Sequence, residues 1–172
     1  MVPSSAPEAV QPGEAPDTYV LRVAGEKARD VASRYPGTWV LAADTIVEID
    51  DTVLGKPRDR EEGMRMLRQL SGRSHRVMTA FVIVNDTGQS VTSQLVTSCV
   101  RFKHLSEAQI HAYLATGEPF DKAGAYAVQG LGAALVEHVE GSYTNVVGLP
   151  LDEVLDELRA AGLVSNEGTQ SV

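Results

Sequence analysis

The chain contains one cysteine, Cys99. That excludes an internal disulfide framework and fits a reducing compartment, so a cytoplasmic location is expected. No apolar run approaches the roughly 20 residues that cross a bilayer, and the N-terminus lacks a basic segment followed by an apolar one. No membrane partner is therefore expected. The four histidines, His75, His104, His111 and His138, show no HExxH-type spacing, and a lone cysteine makes no CxxC pair. A zinc site is not expected on those grounds. Positive charge is also scarce, since 15 Lys and Arg face 23 Asp and Glu for a formal net charge of −8. Phosphate polymers are gripped by clustered cations, so a nucleic-acid polymer is not the expected partner. A small anion such as a nucleotide stays compatible, because a few local cations and a divalent metal can hold one. Phosphate-loop and dinucleotide fingerprints are missing too: Gly130-Leu131-Gly132 lacks a third glycine and a preceding strand.

What is present suits one domain over residues 1–172, with 43% hydrophobic and 22% charged residues supplying an ordinary core and surface. Residues 1–16 are rich in Pro, Ser, Ala and Glu without periodicity and read as an irregular arm. Val20, Ala24, Ala28 and Val31 recur at helical spacing, and Pro36-Gly37 ends that helix. A second helix opens at Asp59, with Glu62 three residues on approximating a capping box. Val77–Val84 and Val91–Phe102 flank Asn85-Asp86-Thr87-Gly88 and predict a hairpin. Ser106-Glu107-Ala108-Gln109 is a capping box that starts a third helix, with Gly117 placed to end it. A strand is predicted over Ala133–Val139, and Pro150 starts a last helix with Leu151, Val154, Leu155 and Leu158 inward. Residues 163–172 read as a frayed tail. Hairpin and crossover connections together predict an α/β fold, a mixed twisted sheet flanked by helices.

The run Val40-Leu41-Ala42-Ala43-Asp44-Thr45-Ile46-Val47 reads as a buried strand with one carboxylate in its middle. A carboxylate there is costly unless a metal, a cation or several donors compensate it. Taken alone, Asp44 fits equally a strand-end cap and a functional acid. Alternation puts Asp44 and Thr45 on opposite faces unless the strand ends there, in which case both can face one cleft.

Two further islands join polar residues to turn glycines, Leu70–Thr79 and Gly117–Gly130, and Gly55-Lys56-Pro57 folds back toward Asp44. Carboxylates at Asp44, Glu118 and Asp121 suit Mg²⁺, which takes one or two carboxylates plus phosphate oxygens. Lys56, Arg73 and Lys122 suit the neutralisation of a polyphosphate. Singly, each lysine also reads as a solvated surface charge and each glycine as a turn.

Taken together, the chain resembles the Maf (septum-formation-inhibitor) nucleotide pyrophosphatases. The matching segments are Glu26-Lys27-Ala28, Ala43-Asp44-Thr45, Gly55-Lys56-Pro57, Leu70-Ser71-Gly72-Arg73-Ser74-His75 and Asp121-Lys122-Ala123-Gly124-Ala125-Tyr126. Gln129-Gly130, Gly132 and Asn145-Val146-Val147-Gly148-Leu149-Pro150 follow in order. The resemblance implies a Maf/ITPase-like fold and a house-cleaning enzyme that splits a nucleoside triphosphate into the monophosphate and pyrophosphate. It implies a divalent cofactor, Mg²⁺ or in its place Mn²⁺, and leaves room for a homodimer. It assigns Asp44 as proton acceptor, and Asp44, Glu8 and Asp121 as residues near the metal. It assigns Lys56, Arg73 and Lys122 to the phosphates, and Thr45 and Gln129 to base choice in the subgroup that prefers dTTP and UTP. A carboxamide offers a donor and an acceptor to a pyrimidine edge, which suits Gln129 to that role.

The sequence departs from the family in lacking the first strand-loop-helix unit, with its Ser-x-Ser-Pro-Arg-Arg loop at the phosphates. Two expectations follow: a start assigned downstream of the natural one, or a shortened Maf-like protein with weak or no catalysis that binds nucleotides or partners.

Overall fold

The computed structural model describes residues 1–165. Helix α1 spans Pro16–Arg34, strand β1 Val40–Ile49, β2 Thr52–Leu54, α2 Arg60–Leu70, β3 Ser74–Val84 and β4 Ser90–Phe102. Then follow α3 over Glu107–Ala115, three short 3-10 segments between Glu118 and Leu135, β5 over Val136–Glu140, α4 over Tyr143–Val147 and α5 over Leu151–Ala160. Among the described residues no helix is long and apolar enough to cross a membrane.

The sheet has strand order β2-β1-β3-β4-β5, and every neighbouring pair in it is antiparallel. The sheet is flanked by helices, as expected, but its strands alternate in direction because of β2, which escapes a reading of the sequence. β1 turns back through Asp50-Asp51, both in the left-handed region at φ 53° and 57°. That hairpin adds one reversal before α2, so the chain re-enters the sheet at β3 antiparallel to β1 rather than parallel to it.

The period-2 alternation of β1 and β3 divides the core in two. Val40, Ile46, Met78, Ala80, Val82 and Val84 face α1, which contributes Tyr19, Val20, Val23, Ala24 and Ala28. Ala24 and Ala28 are fully buried and let the helix lie close on the sheet. Each buried valine of α1 contributes on the order of 1.5–3 kcal/mol. On the opposite face, Val47, Ile49, Val77, Val100 and Phe102 pack under α2, α3 and the irregular segment that follows. Phe81 and Ile83 continue that face under Val154 of α5.

The helix starts follow their sequence signals. Asp59 accepts from the Glu62 amide, and Ser106 with Gln109 forms the full capping box. The strand expected at Ala133 begins instead at Val136, because residues 130–135 coil into a 3-10 segment. Residues 1–15 lack helix and strand but are pinned to α1. Ser4 and Ser5 bond Asp30, Glu14 pairs with Arg22 at 2.6 Å, and Tyr19 donates to the Glu8 carbonyl. The tail expected over 163–172 lies mostly outside the described residues.

Candidate active site

Asp44 and Thr45 sit inside β1, opposite Ala80 and Thr79 of β3. The strand does not end at them but runs on to Ile49. They nonetheless both line one cleft of about 310 Å³, for a reason the alternation rule does not contain. β2 pairs only with Val47–Ile49, so it leaves the Asp44–Thr45 edge of β1 uncovered. Lys56, Asp121, Lys122, Gln129 and Gly148 complete the rim of this cleft, with Tyr126 and Val146 deeper in the wall. β1, the turn after β2, the irregular segment after α3 and helix α4 thus converge on one place.

Two glycines make the convergence sterically feasible. Gly124 adopts φ 68° and donates to the Gly55 carbonyl at 3.0 Å, which ties the 121–126 segment to the lysine-bearing turn. A Cβ at Gly124 would stand 2.9 Å from Val47. Gly132 packs so closely that a Cβ would stand 2.2 Å from the Ala127 carbonyl oxygen. A side chain at Gly124 would push its segment off β1, and one at Gly132 would clash with Ala127 and the Tyr113 hydroxyl.

Asp44 is mostly buried and pairs with Lys27 Nζ of α1 at 2.7 Å. The same ammonium lies 2.5 Å from Glu8, so two carboxylates from different segments point at one positive charge. Burial pushes the Asp44 carboxyl above its usual range; Lys27 opposes this, and the negative charge of Glu8 adds to it. Glu8 is more exposed and is held below its usual range by its bond to Lys27. Burial works against the charge of Lys27, but its bonds to Asp44 and Glu8 outweigh that and hold its pKa up. Across the cleft, Asp121 pairs with Lys122 at 2.6 Å, and that bond lowers the Asp121 pKa.

The structure therefore gathers Asp44, Thr45, Lys56, Asp121, Lys122 and Gln129 at one cleft, with Glu8 joined to it through Lys27. Arg73 stands apart. It pairs with Asp50 at 2.7 Å at the far end of β1, about 20 Å along the strand from Asp44. The structure does not bring it to the cleft with the other residues expected at a polyphosphate. Glu118 is spent on structure, since it accepts from the Leu131 and Gly132 amides and from the Tyr113 hydroxyl.

Lys27 entered the sequence reading only as part of a matched segment. Its signal was there, a cation beside the apolar stripe Val20-Ala24-Ala28 on the same helix face. Thr79 and Asn145, both fully buried polar residues, lie within segments named from the sequence, but nothing in those segments singles them out.

A divalent cation can be tested against these donors. Among the described residues no three of His, Cys, Asp and Glu are grouped closely enough to hold a metal. Glu8 and Asp44 do share one cationic position, that of the Lys27 ammonium, and Mg²⁺ needs only one or two carboxylates when phosphate and water complete its shell. The donor set fits a cation of that kind.

The family model for Maf-like proteins matches residues 1–161. A dTTP/UTP pyrophosphatase of Desulfotalea psychrophila is 48% identical over 161 residues, covering 94% of this chain and 83% of the relative. One from Syntrophotalea carbinolica is 48% identical over 166 residues, covering 95% and 76%. Another, from an Anaeromyxobacter species, is 52% identical over 163 residues, covering 93% and 78%. Matched by the family model over residues 1–161 and by these relatives over more than nine-tenths of its length, the chain belongs to the Maf family.

Proposed function

We propose that this protein hydrolyses dTTP and UTP to the nucleoside monophosphate and pyrophosphate, removing unwanted nucleotides from the pool. The observation that carries the reading is the cleft itself. A mostly buried carboxylate, two lysines and two residues suited to hydrogen-bonding a base meet there from three separate segments. The activity named for the relatives supports the catalytic reading over a binding-only one.

Asp44 acts as the general base. Its burial raises its proton affinity, which suits it to draw a proton from water attacking in line with the scissile anhydride. Lys56 and Lys122 neutralise the phosphate oxygens on which charge develops. Lys27 orients Asp44 and keeps it from drifting out of the strand edge. A divalent cation, Mg²⁺ or Mn²⁺, would be held by Glu8 and Asp44 with Asp121 nearby, and would supply further charge neutralisation at the triphosphate. In this reading water attacks the α phosphorus, the bond to the β phosphate breaks, pyrophosphate leaves and the monophosphate remains.

Thr45 and Gln129 read the base. Replacing Gln129 by glutamate exchanges a donor–acceptor group for an acceptor alone, leaving a polar group of the base unpaired. We expect Gln129→Glu to lower kcat/KM for dTTP and UTP by about tenfold or more relative to purine triphosphates, while kcat for the best substrate falls less. Steady-state kinetics over a panel of ribo- and deoxyribonucleoside triphosphates tests the reading. The unaltered protein should rank dTTP and UTP first, and a uniform fall for all nucleotides in the variant would remove Gln129 from base choice.

A further inference from the structure

Behind Thr45, on the side away from the cleft, lies a chain of hydrogen bonds with a fixed direction. Thr79, fully buried, faces Thr45 across the β1–β3 ladder, with the two hydroxyl oxygens 2.8 Å apart. Thr79 Oγ1 also lies 3.0 Å from the Asn145 backbone carbonyl, which can only accept. A threonine hydroxyl has one proton. If Thr79 donates to that carbonyl, it must accept from Thr45. Among the described residues the other hydrogen-bonding partner of Thr45 Oγ1 is the Gly148 carbonyl at 3.4 Å, again an acceptor. Thr79 therefore draws the Thr45 proton inward, and neither neighbour donates to Thr45.

The carbonyl end of this relay is itself held in place. Asn145 is fully buried, and its side-chain amide donates to the Val77 carbonyl at 3.1 Å and to Ser98 Oγ at 2.9 Å. Ser98 Oγ in turn donates to the Ser142 carbonyl at 2.9 Å, so this branch also runs in one direction. The Gly148 amide donates to the Asn145 carbonyl at 2.9 Å and caps α4. α4 is thus bolted to the sheet at the point where Thr79 needs its acceptor.

We propose that Thr79, anchored by Asn145, is a positioning residue that fixes Thr45 as an acceptor toward the cleft, so that the site selects bases offering a ring N–H. Uracil and thymine present an N3–H donor between two carbonyls. Cytosine presents a bare N3 acceptor beside an amino group. An acceptor-only hydroxyl pairs with the first and leaves the second facing lone pair against lone pair, which costs discrimination of the kind expected when a buried polar group is left unpaired. The inference deepens the base-reading part of the proposed function and rests on it. It extends that reading from the side chain in the cleft to the buried pair that orients it.

Binding of dTMP and dCMP by titration calorimetry tests this without requiring turnover, so a failure of catalysis and a failure of the relay are separable. The unaltered protein should prefer dTMP by about tenfold or more. Thr79→Val keeps shape but deletes the relay; Thr45 is then free to donate into the cleft, and the dTMP:dCMP ratio should fall toward one. Thr79→Ser restores the hydroxyl and should restore the ratio, which a purely packing role for Thr79 would not predict. A second measurement on the unaltered protein does not depend on any variant folding. N3-methyl-dTMP lacks the donor and should bind about tenfold or more weaker, whereas 4-thio-dTMP keeps N3–H and should bind within a fewfold of dTMP. An unchanged ratio in Thr79→Val, a ratio near one in the unaltered protein, or equal binding of the N3-methyl compound would each overturn the proposal.

Discussion

Asp44→Asn should lower turnover of dTTP by at least about a hundredfold while leaving the protein folded. General-base catalysis contributes roughly 10²- to 10⁴-fold, and an amide cannot accept the proton from water. The fold should tolerate the change because asparagine has nearly the same shape and Lys27 keeps its partner Glu8. The pH profile of the unaltered protein carries the same information. Burial raises the Asp44 pKa, so the carboxylate is lost to protonation at a higher pH than an ordinary aspartate. In the metal-free protein Asp44 should accordingly protonate above the normal aspartate range, and a cation held by Asp44 works against that shift. The sign for stability runs the other way. A carboxyl with a raised folded-state pKa favours folding at low pH and loses that contribution as pH rises through the raised value. Ionised Asp44 is therefore a cost to the fold at neutral pH, and Asp44→Asn should unfold within a few degrees of the parent. An asparagine variant with normal turnover would make Asp44 a structural residue.

A second large effect should appear in stability rather than in rate. His75 is 3% exposed, wedged edge-on between Phe102 and Tyr126, with Nε2 2.8 Å from the Tyr126 hydroxyl and Nδ1 without a hydrogen-bond partner among the described residues. Burial pushes its pKa from 6.5 down to about 4. Between those values the unfolded chain binds a proton that the folded protein refuses, so stability falls as pH drops from 6.5 toward 4. At about 1.4 kcal/mol per pKa unit, the loss attributable to His75 is on the order of 3 kcal/mol. Urea unfolding at pH 7 and pH 4.5 should show it, and His75→Phe should remove that part of the pH dependence. The variant will start from a lower stability, because the Tyr126 hydroxyl loses its partner. The slope with pH, not the absolute value, is the readout. Equal pH dependence in both proteins would mean that His75 is protonated or solvated in the folded state.

Much of the fold was legible because its signals are local. The capping residues Asp59 and Ser106, the apolar stripe of α1 and the β3–β4 hairpin all appear as patterns within a dozen residues. β2 was not legible, being three residues long and reached through a turn of two aspartates rather than a glycine pair. Its absence from the reading also hid the reversal that makes β1 and β3 antiparallel. α4 has five residues, too few for helical periodicity to show. The candidate site divides in the same way. Asp44 stands out as a carboxylate inside an apolar strand and Lys56, Lys122 and Gln129 as charged or polar residues near turn glycines, and the structure brings them to one cleft. Arg73 does not join them because it lies just before β3, at the end of the sheet away from Asp44, where it pairs with Asp50. The pairing of Thr79 with Thr45 depends on strand register, which no local pattern specifies.

The central claim is that the bond cleaved lies between the α and β phosphates of a pyrimidine triphosphate. Its most direct test is product identification: the protein is incubated with dTTP and Mg²⁺, and the nucleotides and inorganic products are separated by anion-exchange chromatography. The account predicts dTMP and pyrophosphate in equal amounts, with no dTDP at any time. Accumulation of dTDP with orthophosphate, or no hydrolysis of dTTP or UTP under any divalent metal, would contradict it.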